Sequence, residues 1–229
     1  MAEASRGCQA APATDPSGEH PLLAGRRLYL CTADRPDLAP FLEACLRGGV
    51  DVVQLRDKVL DARPLLERAR LAASVCAGFG VPFILNDRPD LALACGADGV
   101  HVGQDDTPPA VARRILGPDA VIGLSTHAPS EWDPAGREPV DYLSAGPVNA
   151  TPTKPGRPGT GLEYLEYVSA TPAGAAVPWF VTGGATPETI PAMIEAGARR
   201  FVVVRYLTES ADPEAAARRL RRAIDPAWG

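Results

Sequence analysis

The feature that most limits how this chain can fold is a cycle that repeats eight times. A short apolar, β-branched run is followed by a polar or Gly-bearing turn, then by an Ala- and Leu-rich amphipathic stretch ending near Gly. The runs fall at residues 27–32, 51–55, 82–86, 99–102, 121–124, 142–145, 179–182 and 201–204. Helical patterns cover 38–47, 62–78, 91–94, 109–116, 162–169, 187–196 and 213–224, with a weak, Pro-interrupted one at 130–135. The runs are nearly continuous rather than alternating, as parallel strands covered by helices require. Eight β–α units in about 200 residues predict a single-domain α/β fold, a (β/α)8 TIM barrel, over residues 26–229. A doubly wound open sheet is the competing arrangement. Equal units and the lack of a Gly-rich dinucleotide loop count against it.

Punctuation agrees with the cycle. Gly48-Gly49, Gly96 and Gly197 follow helical patterns as C-terminal glycines do. Thr186-Pro187-Glu188 and Asp212-Pro213-Glu214 each read as a cap, a first-turn Pro and an acid at a helix start. Residues 1–25 are rich in Ala, Pro, Ser and Gly and read as a disordered tail.

With 23 basic and 28 acidic side chains the net charge is −5, which speaks against a nucleic-acid partner. No apolar run reaches the roughly 18 residues of a spanning helix, so no membrane partner is expected. Cys8, Cys31, Cys45, Cys76 and Cys95 are odd in number and include no CxxC pair. Without a signal peptide, this usage predicts reduced thiols in a cytoplasmic protein. The 23 basic residues include only two lysines, Lys58 and Lys154. An ammonium is a compact point charge that the planar guanidinium fork does not reproduce.

Barrels of this kind place their sites at the C-terminal ends of the strands. The residues following each run are therefore the candidates. Run two leads into Gln54-Leu55-Arg56-Asp57-Lys58, run three into Asn86-Asp87-Arg88, and run four into Gly103-Gln104-Asp105-Asp106. Run five leads into Ser125-Thr126-His127, and run six into Gly146 through Lys154. Runs seven and eight lead into Gly183-Gly184 and Arg205. Arg56, Lys58 and Lys154 supply cations at one mouth, and Thr151, Thr153 and Ser125 supply hydroxyls. Gly183-Gly184 stands where such barrels bind phosphate through backbone N–H groups. A solvated charge run and a plain tight turn remain the structural alternatives for Arg56-Asp57-Lys58 and Gly183-Gly184.

Asp87 and Asp106 end neighbouring strands and suit Mg2+, which takes oxygen ligands, often one or two carboxylates plus phosphate oxygens. Helix capping is the alternative for both, and Asp105 competes with Asp106. His127 reads as a hydrogen-bonded turn residue and His101 as core-facing. The stretch 147–161 is long for a barrel loop and reads as a mobile lid that carries Lys154 over a ligand.

Taken together, these residues resemble the thiamine-phosphate synthase family, also called thiamine-phosphate pyrophosphorylases, over about residues 27–224. The matching segments are Val53-Gln54-Leu55-Arg56-Asp57-Lys58, Ile84-Leu85-Asn86-Asp87-Arg88, Gly96 through Asp106, Gly123-Leu124-Ser125-Thr126-His127, and Gly146-Pro147-Val148 leading to Thr151-Pro152-Thr153-Lys154. The resemblance implies a (β/α)8 barrel joining (4-amino-2-methyl-5-pyrimidinyl)methyl diphosphate to 4-methyl-5-(2-phosphoethyl)thiazole with release of pyrophosphate. It implies that Gln54, Leu55, Arg56, Asp57, Lys58, Asn86, Ser125 and Lys154 hold the pyrimidine diphosphate. Of these, Arg56, Lys58, Ser125 and Lys154 would be catalytic. Asp87 and Asp106 would bind Mg2+. Thr151, Pro152, Thr153, Gly184, Val204 and Arg205 would hold the thiazole phosphate. Arg205 departs from the family's usual Ser, and Asn149 from an apolar or aromatic residue.

The implied chemistry breaks a C–O bond and forms a C–N bond. It needs charge stabilisation of a departing diphosphate more than a general base. That matches a mouth rich in cations and poor in catalytic His. Three alternatives remain: a thiazole tautomerase-like barrel with His127 as acid/base, another phosphate-binding barrel such as an isomerase of amino-acid biosynthesis, and a non-catalytic binder of thiamine precursors.

Overall fold

The computed structural model describes residues 19–150 and 158–228. Eight parallel strands close into a barrel in sequence order. They are β1 (Leu28–Thr32), β2 (Val52–Leu55), β3 (Phe83–Asn86), β4 (Gly99–Val102), β5 (Val121–Thr126), β6 (Tyr142–Ala145), β7 (Trp179–Val181) and β8 (Phe201–Val203). β8 closes on β1 with Leu28 opposite Phe201. The helices are α1 (Leu38–Arg47), α2 (Ala62–Gly78), α3 (Pro89–Cys95), α4 (Pro109–Leu116), α5 (Pro129–Ala135), α6 (Gly161–Ala170), α7 (Pro172–Ala176), α8 (Ile190–Glu195), α9 (Arg205–Thr208) and α10 (Pro213–Ile224). This is the expected (β/α)8 barrel.

Alternate residues of each strand face opposite ways. Leu28 and Leu30 face the helices, whereas Tyr29 lies inside the barrel with Val52, Ile84, Val121, Tyr142 and Phe180. The helices cover the outward residues with apolar stripes; α2 buries Leu65, Ala69, Ala72 and Cys76 at helical spacing. Space for the Tyr142 ring comes from Gly123 on the neighbouring strand, where a Cβ would stand 2.1 Å from Tyr142 Cζ. Among the described residues, no disulfide joins Cys31, Cys45, Cys76 or Cys95. No helix among the described residues is long and apolar enough to cross a membrane.

Several boundaries differ from the sequence reading. β5 extends to Thr126 rather than Leu124. α8 begins at Ile190, not at Pro187. The Thr189 hydroxyl accepts the Thr186 N–H at 2.9 Å and donates to Gly184 O at 2.7 Å, holding Thr186-Pro187-Glu188 in a turn. At α10 the expectation holds, with Asp212 Oδ1 accepting the Ala215 N–H at 3.0 Å. α7 and α9 are single-turn helices without a sequence counterpart in the cycle.

Residues 19–25, assigned to the tail, are packed on the barrel. Leu23 is fully buried in the interior cluster, and Glu19 pairs with Arg200 at 2.8 Å. An isolated Leu in a polar, Pro-rich stretch carries no periodicity that would reveal this. The rest of that segment, residues 1–18, lies outside the described residues.

Candidate active site

A cavity opens at the C-terminal ends of the strands. Tyr29, Cys31, Gln54, His101, Ser125, Tyr142 and Ser144 form its floor, each placed inward by the strand pleat. Arg56, Asn86, Pro147, Thr182, Gly183, Gly184, Val204, Arg205 and Tyr206 rise around it. Gln54, Arg56, Asn86, Ser125, Gly184, Val204 and Arg205 are thus brought together as the strand-end reading expected. Leu55 is not: its side chain is buried in the layer between barrel and helices. Asp57 is committed to its own loop, with Oδ1 accepting the N–H groups of Val59 and Leu60, both at 2.8 Å. Burial raises its pKa, but these N–H groups and that of Asp34 outweigh burial and hold the carboxyl below its usual value.

The cavity floor is continuously hydrogen-bonded. Cys31 Sγ donates to Gln54 Oε1 at 3.2 Å, and Gln54 Nε2 donates to Tyr29 OH at 2.9 Å. Tyr29 OH lies 2.9 Å from Tyr142 OH, which is 2.9 Å from His101 Nδ1. His101 Nε2 is 2.8 Å from Ser125 Oγ, and Ser144 Oγ donates to Ser125 Oγ at 3.4 Å. His101 is buried, as the sequence reading expected. Tyr29 and Tyr142 were absorbed into apolar runs by that reading. The signal for them was the inward strand phase they share with Cys31 and Ser144.

Asp87 and Asp106 follow β3 and β4 and are close enough for each to shift the other's titration. Neither caps a helix: Arg88 and Pro108 hold the cap positions of α3 and α4. Asp106 interacts with Asp87 and its Oδ2 accepts the Gly103 N–H at 2.8 Å, whereas Asp105 is exposed. Asp87 has φ +62°, the only positive value at a non-glycine residue among those described. This region is costly for most side chains but tolerated by Asp and Asn. Burial raises the pKa of Asp87; Asp106 pushes the same way, and Lys58 opposes both. Burial also raises that of Asp106, but hydrogen bonds from Asp87 and the Gly103 N–H leave it below the usual value. The Lys58 ammonium pairs directly with Asp87 Oδ2. Two crowded carboxylates that already draw a cation are a donor set that fits Mg2+ with ligand oxygens completing its shell.

On the opposite wall, Gly183 and Gly184 both have positive φ. A Cβ on Gly183 would stand 2.6 Å from Pro147 Cα, so the β6–α6 loop can approach only a glycine. That loop is closed at its stems: Thr160 N donates to Pro147 O at 2.8 Å and Gly161 N to Val148 O at 3.1 Å. Thr151, Pro152, Thr153 and Lys154, and with them the expected lid movement, lie outside the described residues. Arg205 opens α9, and among the described residues it forms no ion pair with Glu209. His127 does not line this cavity. Its backbone N–H and its Nδ1 both meet Glu131 Oε2 at 2.8 Å, the turn role expected of it.

Closed barrel, hydrogen-bonded floor and charged rim at the C-terminal face define a (β/α)8-barrel enzyme. A model of the family described as thiamine monophosphate synthase matches residues 28–207. The chain is 47% identical to a thiamine-phosphate synthase of Mycobacterium bovis over 217 residues, covering 90% of this chain and 97% of that one. It is 50% identical to that of Thermobifida fusca over 206 residues, covering 88% and 94%. Among solved structures it resembles thiamine phosphate pyrophosphorylase from Pyrococcus furiosus, with TM-score 0.78, 28% identity and coverage of 89% and 97%. The chain belongs to the thiamine monophosphate synthase family and is a transferase of thiamine biosynthesis.

Proposed function

We propose that this enzyme couples (4-amino-2-methyl-5-pyrimidinyl)methyl diphosphate to 4-methyl-5-(2-phosphoethyl)thiazole, releasing pyrophosphate, in the cytoplasm. One observation carries the reading: Arg56, Asn86, Ser125, Gly184 and Arg205 line one cavity, and the Lys58–Asp87 ion pair follows directly on Asn86 at the end of β3. Bound at the two carboxylates, Mg2+ would offset charge on the departing diphosphate. Arg56 and Lys58 would hold the diphosphate from the β2 side, and Lys154 from the β6–α6 loop. The aminopyrimidine stabilises the methylene cation that forms, and the thiazole nitrogen attacks with its own lone pair. No base is required. Gly184 and Arg205 would anchor the thiazole phosphate opposite. Mass spectrometry after incubation with both precursors should show the coupled monophosphate; a rearranged thiazole alone would favour the tautomerase reading.

His127→Ala should leave the coupling rate within about tenfold, because no proton transfer is assigned to it. A thousandfold loss in steady-state turnover would move the assignment to proton-transfer chemistry.

Arg205→Ser should raise KM for the thiazole phosphate by one to two orders of magnitude, on the order of 1–3 kcal/mol, as one charge-assisted hydrogen bond is lost. KM for the pyrimidine diphosphate should stay within about twofold if Arg205 meets only the other substrate. Equal changes in both constants, or none, would remove Arg205 from the phosphate site.

A further inference from the structure

We propose that His101, oriented by Tyr142 and Tyr29, is a positioning residue that aims the Ser125 hydroxyl hydrogen into the cavity. The proposal rests on the synthase reading for the identity of what that hydrogen meets. Each polar group along the cavity floor has a limited number of hydrogens to give.

The count starts at Gln54, whose amide has a polar partner at each end. Its Oε1 takes the Cys31 thiol and its Nε2 donates to Tyr29 OH. A phenol has one hydrogen to give. Tyr29 oxygen accepts from Gln54, and we assign its own hydrogen to Tyr142 oxygen, 2.9 Å away. Tyr142 must then give its hydrogen to His101 Nδ1, also 2.9 Å away. Both phenols stay protonated, because burial drives their pKa values far above the usual range. An imidazole that accepts at Nδ1 carries its proton on Nε2 when neutral. That proton points at Ser125 Oγ across 2.8 Å. Ser144 donates to the same oxygen at 3.4 Å. With the His101 Nε2–H and the Ser144 hydroxyl both directed at its oxygen, Ser125 Oγ keeps its own hydrogen for a ligand.

The ring is also held mechanically. His101 stacks on Tyr142 with centroids 5.4 Å apart and planes at 26°, so it cannot flip without moving the phenol. Tyr142 in turn meets Phe180 edge-on at 5.4 Å. The hydrogen direction set at Gln54, on one side of the barrel, therefore reaches Ser125 on the other without passing through solvent.

The test reads the tautomer. The chain has three histidines, so a long-range proton–nitrogen NMR spectrum of the full-length, histidine-labelled protein without substrates resolves His101 after comparison with His101→Gln. Wild type should show the Nε2–H tautomer alone, and Tyr142→Phe should lose that purity. A proton on Nδ1 in wild type overturns the proposal, whatever the enzyme's substrates prove to be. Turnover gives a second readout. His101→Gln keeps a donor near the Nε2 position and should stay within about tenfold of wild-type kcat, whereas His101→Leu should fall about tenfold further. KM for the thiazole phosphate should be unchanged in both. Equal losses in the Gln and Leu variants at matched melting temperature would reduce His101 to packing.

Discussion

Replacing Lys154 by Ala is expected to lower kcat by two to three orders of magnitude. A charge placed at a developing anion in a water-poor site is worth roughly 3–4 kcal/mol. The melting temperature should not move, because the β6–α6 loop is fastened at its stems by backbone hydrogen bonds of Pro147, Val148, Thr160 and Gly161. Lys154→Arg should recover little. Lys154 and Lys58 are the only lysines beside 21 arginines, the remainder of 23 basic residues, and a fork does not replace a point charge. Single-turnover kinetics of the two variants check this; an Arg variant at the wild-type rate would remove the case for a retained ammonium.

The second large effect is expected at the carboxylate pair. Full chelation of divalent ions should abolish coupling, and Asp87→Asn should slow it about a hundredfold or more at low Mg2+, with partial recovery as Mg2+ is raised. Asn is the informative substitution because Asp87 sits at φ +62°, which Asn also tolerates, so charge is removed with the backbone kept. The Lys58–Asp87 ion pair would be lost at the same time. Asp105→Asn provides the control: its neighbour, not Asp105 itself, faces Asp87, so its rate should match wild type. Coupling that persists at full rate in chelator would show that Lys58 and Arg56 suffice for the departing diphosphate.

The barrel was legible in the sequence because eight buried strands between helix stripes leave a period that composition does not produce by chance. The rim was legible for the same reason, since strand ends locate their own charged residues. What escaped notice depends on contacts distant in sequence. Leu23 is buried because the strands ahead of it form a floor to cover, and nothing adjacent to it records that. Tyr29 and Tyr142 look like core residues by type; only closure of β1 near β6 across the barrel brings their hydroxyls to 2.9 Å. α8 starts at Ile190 although Thr186-Pro187-Glu188 satisfies a local capping rule, because Thr189 ties that segment to Gly184 and the cavity wall. Asp105 and Asp106 are equivalent in sequence, and the Gly103 N–H distinguishes them.

The central claim is that this site joins two substrates and does not process either alone. Initial rates of pyrophosphate release with Mg2+ present, measured with each precursor separately and then together, test it most directly. The account predicts release only in the mixture, saturating with the thiazole phosphate. Release from the pyrimidine diphosphate alone at the rate of the mixture would mean that water, not the thiazole nitrogen, takes the methylene cation, and would contradict it.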